Sequence, residues 1–173
     1  MSDMDECIPC FACGARSPNI EGECHKYMLS SPGCWAMFGE VMAKEYSHPL
    51  YWKGHQFTVD AYAVQHVGKK IDKRALNSVQ IHLAALYAIF VEDLSLETVP
   101  QFREQFSHFY KGKDLLKWLD PPKSFGPLTI FEPWKNDHPE LHYNITRRWA
   151  RSAWESWSHQ HRTIADLVQQ IRS

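Results

Sequence analysis

Cys10 and Cys13 are separated by two residues and followed by Gly14. That spacing lets two thiolates reach one ion, and the glycine permits the left-handed turn behind them. All five cysteines, Cys7, Cys10, Cys13, Cys24 and Cys34, fall within the first 34 residues. An odd, clustered set of this kind favours metal binding over disulfides in a reducing compartment. A tetrahedral site needs two more ligands. His25 and Cys34 are the expected ones, Cys34 because the positive end of a helix favours its thiolate. Cys7 and Cys24 are the substitutes. The expected ion is a structural zinc. The competing reading makes Cys10 and Cys13 a surface redox pair, but that chemistry belongs at a strand-to-helix turn of a βαβ pattern, which the sequence lacks.

The chain holds ten histidines. His66, His82 and His161 each fall on or beside the inward face of a different expected helix, and bundles build metal and catalytic sites from such inward side chains. Asp60, about one and a half turns before His66, can orient an imidazole or complete a coordination shell. Tyr62 shares the face of His66 and can serve as an acid or simply pack. The catalytic candidates are therefore Asp60, Tyr62, His66, His82 and His161, in a His/Asp pocket where a second metal ion would activate water for hydrolysis. The alternative is a non-catalytic, zinc-stabilised binding or regulatory module in which each histidine is a hydrogen-bonded core residue. Trp149, Trp154 and Trp157 read as core, or as the wall of a ligand cavity.

The elements that must position these residues are helical. Residues 1–30 are broken by Pro9, Gly14, Pro18 and Gly22, so this stretch needs a cross-link to stay ordered. Ser31-Pro32 starts a helix running to about Tyr46, and His48-Pro49 ends it. A second helix is expected from Tyr51 to His66, with His55, Val59, Tyr62 and His66 on one face. Asp72 caps a third, from Lys73 to Glu92, with Leu76, Val79, Leu83, Leu86 and Phe90 as its core stripe. A helix from Pro100 to Tyr110 and a short one near Leu115 to Leu119 follow. Proline at 121, 122, 127, 133 and 139 makes residues 120–140 a long ordered loop or an active-site cover. From 141 to 173 one long helix is expected, its seam formed by Ala150, Trp154, Trp157, His161, Ile164, Val168 and Ile171. The expected fold is all-α: one domain, a bundle of about five helices carrying an irregular zinc-bound N-terminal segment.

With 44% hydrophobic and 23% charged residues, the composition is that of a globular protein. Nineteen Lys and Arg nearly balance twenty Asp and Glu, so no global field draws the chain to nucleic acid or an anionic membrane. Arg147, Arg148 and Arg151 form a basic helix face of the sort usually solvated. The most apolar stretch, Ile81 to Val91, is about half the roughly 20 residues a membrane span needs. The acidic opening, Met1 to Cys10, lacks the features of a secretory signal, so a cytoplasmic location is expected. A Gly-rich phosphate loop, HExxH and GxSxG are all absent. Small molecules or another protein remain as partners.

Six motifs span nearly the whole chain: CFACGA from Cys10, His25-Lys26-Tyr27, SPGCW from Ser31, TVDAYAVQH from Thr58, SVQIHL from Ser78 and WARSAWESWSHQH from Trp149. As a set they resemble an uncharacterised bacterial domain-of-unknown-function family. The resemblance implies one coherent domain in which the motif cysteines and histidines act together, and it implies no reaction. Val67 departs from the pattern, in which proline commonly follows the QH pair, and leaves the end of the second helix open.

Overall fold

A computed structural model describes residues 6–173. The first five positions of the irregular opening, residues 1–5, lie outside the described residues. Two short strands, β1 (Cys7–Pro9) and β2 (Arg16–Pro18), pair antiparallel with Ile8 opposite Ser17. The turn between them is closed by the Cys10 amide donating to the Ala15 carbonyl and the Gly14 amide donating to Cys10, both at 2.8 Å. Gly14 has φ +77, a left-handed conformation that glycine adopts without steric penalty. The opening is therefore a tight cysteine-bearing hairpin and not wholly irregular.

Helix α1 (Pro32–Ser47) begins as the sequence indicates. The Ser31 hydroxyl accepts from the Cys34 amide at 3.3 Å, satisfying one orphan donor of the first turn, and proline occupies that turn. The same hydroxyl lies 3.0 Å from the Ser17 hydroxyl, which fastens β2 to the helix start. Gly33 makes that junction feasible, because a Cβ there would lie 2.0 Å from the Pro18 carbonyl oxygen.

The single helix expected over Tyr51 to His66 is two: α2 (Pro49–Trp52) and α3 (His55–Gln65). Glycine is a poor helix former, and at the junction the Gly54 amide turns back to the Tyr51 carbonyl at 3.1 Å. Helices α4 (Lys73–Phe90) and α5 (Val99–Tyr110) lie close to the expected ranges, and the Asp72 carboxylate caps α4 through the Arg74 amide. Residues 115–119 are not helical, whereas the proline-rich loop contains the short α6 (Phe131–Lys135).

The long C-terminal helix is also two, α7 (Pro139–Ser156) and α8 (His161–Arg172). The break falls at Trp157, which is fully buried and donates its indole N–H to the Val64 carbonyl at 3.1 Å. Packing that ring against α3 outweighs helical continuity. The described residues thus hold eight α-helices, an all-α fold whose bundle has more pieces than the five expected.

At the centre lies α3, with α7 and α4 as its main neighbours. Residues Asp60 to Gln65 are buried in succession, so the C-terminal half of α3 has no solvent face and runs through the core. Consequently any polar side chain on that half must find its partner inside the protein.

Candidate metal centre

Cys10, Cys13, Cys34 and His66 converge, and the four ligand atoms lie within 4.8 Å of one another. The hairpin turn supplies Cys10 and Cys13, the first turn of α1 supplies Cys34, and His66 follows the last residue of α3. All four residues are buried, His66 to 1% exposure. Cys13 Sγ is 3.8 Å from Cys34 Sγ, and His66 Nε2 lies 3.4 Å from Cys34 Sγ and 3.9 Å from Cys10 Sγ. Two sulfurs each about 2.3 Å from a tetrahedral ion stand about 3.8 Å apart, so these separations suit the edges of one coordination tetrahedron.

The surroundings suit thiolates. The Ser31 amide donates to Cys10 Sγ and the Ala15 amide to Cys13 Sγ, each at 3.4 Å, while the Tyr62 hydroxyl donates to Cys34 Sγ at 3.8 Å. His66 Nδ1 is 2.7 Å from the Tyr62 carbonyl. An acceptor there places the proton on Nδ1 and leaves the Nε2 lone pair for an ion, the outer-shell arrangement usual for histidine ligands. Hydrogen bonds from Cys13 and Cys34 hold the Cys10 thiol far below its ordinary range. The bond to Cys10 pushes Cys13 up to about 12 and, with that to Cys13, raises Cys34 strongly. With protons alone between them, the three clustered sulfurs resist ionising together. A dication would replace those protons and let all three ionise.

His25 is not part of this group, and the place expected for it is taken by His66. Its Nδ1 accepts from the Tyr27 and Met28 amides at 3.3 and 3.1 Å, so its lone pair closes a turn. Its ring meets those of Tyr27 and Trp35 edge-on, and burial, followed by the charge of Arg74, lowers its pKa. The substitutes stay outside too: Cys24 is exposed and donates to the Ser30 carbonyl, and Cys7 sits in β1. All five cysteines are free.

The catalytic candidates are not gathered into one pocket. His66 belongs to the sulfur cluster. His82 Nδ1 meets Asp60 Oδ1 at 2.7 Å, and Arg103 donates to the same oxygen through Nε at 3.1 Å and Nη2 at 2.6 Å. His161 stacks on Trp154 with ring centres 3.7 Å apart and its Nε2 2.9 Å from the Trp154 carbonyl. Tyr62 stacks on His66, and burial drives its hydroxyl well above the usual phenol range, with Cys34 adding to the effect. It is therefore a neutral donor bordering the sulfurs. Among the described residues, the Cys3His set is the one group of three or more such side chains gathered closely enough for an ion, and His82 and His161 lie outside it.

One polar centre escaped the sequence reading. Glu45, fully buried on α1, accepts from Thr58, from His142 Nε2 at 2.8 Å and from His55 Nδ1 at 2.8 Å. The available signal was its register: Cys34, Met37, Val41 and Glu45 are spaced by three, four and four, which puts a carboxylate on the core stripe of α1. Trp149 and Trp157 do form core, each with its indole N–H bonded inside the protein, to Gln65 and Val64.

Fold and site together define the class: a helical protein whose cysteine hairpin is held to two helices by a Cys3His cluster able to bind a metal ion. Residues 8–158 match a family of unknown function, DUF5946, and the chain belongs to that family. No curated protein and no solved structure matches the chain. No described helix is long and apolar enough to cross a membrane.

Proposed function

We propose that the chain is a zinc-stabilised binding or regulatory module, in which one Zn²⁺ on Cys10, Cys13, Cys34 and His66 is structural and takes no part in catalysis. The observation that carries this reading is that four side chains able to ligate one ion meet at buried positions. Catalytic zinc sites keep a position for water or substrate, whereas structural sites are closed and rich in sulfur. Three thiolates and one imidazole favour Zn²⁺ over the oxygen-seeking ions. The ion would fix β1 and β2 against α1 and the end of α3, doing for this broken segment what a core too small cannot. Five free thiols fit a reducing cytoplasm.

Replacing the ion with Co²⁺ tests the reading. The visible spectrum should report tetrahedral sulfur-rich coordination and stay unchanged when azide or cyanide is added. An anion-dependent spectrum would reveal an open position, and the structural assignment would fall.

A further inference from the structure

A cleft of about 650 Å³ opens between the start of α3, the end of α4 with the turn after it, and α7. Its volume is within the range of small-molecule sites, about 300–1,000 Å³. None of the four sulfur-cluster residues lines it. We infer that this cleft binds a small flat-ringed anion of the nucleoside monophosphate class; the inference rests on reading the chain as a binding module and names its ligand.

The charge arrangement is the first reason. Tyr143, Arg147 and Arg151 recur every four residues on α7 and line one wall, and Lys53 joins them from the turn before α3. None of these three cations makes an ion pair with any described residue. Arg151 is nonetheless held in place, its guanidinium 4.4 Å over the Phe90 ring. Two guanidiniums and an ammonium suit a phosphate dianion, which arginine binds through paired N–H donors. Gln56, also on the cleft, has its amide oxygen occupied by Arg103 at 2.8 Å. Its amide N–H groups remain as further donors.

The aromatic surfaces are the second reason. Trp52 is 46% exposed at the cleft, yet it stacks on His55 with ring centres 4.3 Å apart. Because buried Glu45 holds His55 at 2.8 Å, the indole is braced from behind and has area left for a second flat ring. The floor is also aromatic, with Phe57 and Phe90 parallel at 5.9 Å and Tyr143 edge-on to Phe57 at 5.7 Å. At the far side, Asp93, Ser95 and Glu97 line the turn after α4. These acceptors suit sugar hydroxyls or an exocyclic amine and repel a second anionic group. One anionic end, one flat ring and several hydroxyls describe a nucleoside monophosphate.

The test is calorimetric titration of the metal-loaded full chain with AMP, adenosine and inorganic phosphate in parallel. AMP should bind at least about tenfold more tightly than either fragment, since it alone joins both sets of contacts. The double variant R147A/R151A should lose about tenfold or more in affinity, with unchanged metal content and helical circular dichroism. Trp52→Ala should weaken AMP and adenosine alike. Saturable binding of AMP that ignores the double variant, equal binding of phosphate alone, or no binding of AMP would each overturn the inference. Chromatography of the recovered nucleotide separates the two readings: intact AMP supports both, while hydrolysed AMP with sensitivity to R147A/R151A keeps the site and removes the non-catalytic reading.

Discussion

His66 Nε2 lies 3.4 Å from Cys34 Sγ, although the two residues are 32 positions apart and one follows α3 while the other opens α1. This contact joins the end of the central core helix to the start of α1, and it separates the observed cluster from the one built on His25. Substituting the two histidines should therefore give opposite results. His66→Ala should bring purified protein well below one zinc per chain by elemental analysis, and His25→Ala should leave the metal count intact. Retention of zinc by the first variant and loss by the second would reinstate His25.

Gly33 acts on the cysteine cluster only indirectly. A Cβ at this position would press on the Pro18 carbonyl 2.0 Å away, so Gly33→Ala should push β2 off the start of α1 and drag Cys10 and Cys13 with it. The expected result is zinc that a chromogenic chelator removes much faster, although every ligand is still present. Unchanged release kinetics would mean that the hairpin and helix are not coupled.

Acid should release the ion. Zinc holds its ligands as thiolates and neutral imidazole, so binding lowers their pKa values and releases protons. Groups whose folded pKa is depressed stabilise the fold at higher pH and lose that contribution as pH falls. The apparent zinc affinity should therefore fall below about pH 8.5, where free thiols hold their protons, and more steeply below about pH 6.5, where free imidazole also protonates. Competition with a chelator across that range gives the measurement, and a flat profile would contradict the ligand set.

Glu45 should be among the most costly single positions. Both oxygens are occupied, by Thr58, His142 and His55, and the side chain is fully buried. Glu45→Ala strands His142, whose Nδ1 already lacks a partner. Breaking a buried network of this kind costs about 3–5 kcal/mol. At roughly 2–4 °C per kcal/mol for a chain of this size, Tm should fall by about 10 °C. A change of only about a degree on thermal denaturation would show that the network contributes little.

The cap of α1 offers a milder check. Ser31→Ala removes the acceptor for the Cys34 amide and the contact to Ser17, and loss of such a cap costs about 1 kcal/mol. The variant should remain folded with slightly lower stability in urea.

Much of this architecture is written locally. The Cys10-x2-Cys13-Gly14 spacing, the Ser31-Pro32 start with Cys34 in the first turn, the Asp72 cap and the 3.6-residue stripes depend on neighbours within one or two turns. The helical class, the starts of α1 and α4 and three of the four ligands were legible for that reason. The break at Trp157 was not, because it depends on what the chain packs against: Trp157 leaves the helix to bury its ring and bond Val64 on α3.

The same distinction divides the histidines. Sequence established that several imidazoles lie on inward faces, since periodicity specifies which side of a helix a residue occupies. Only the tertiary structure decided their partners: Cys34 for His66, Asp60 for His82, Trp154 for His161 and Glu45 for His55 and His142. Coordination and ion pairing are short-range contacts between residues far apart in the chain. Periodicity fixes direction about one helix axis but carries nothing about how the axes are placed relative to one another.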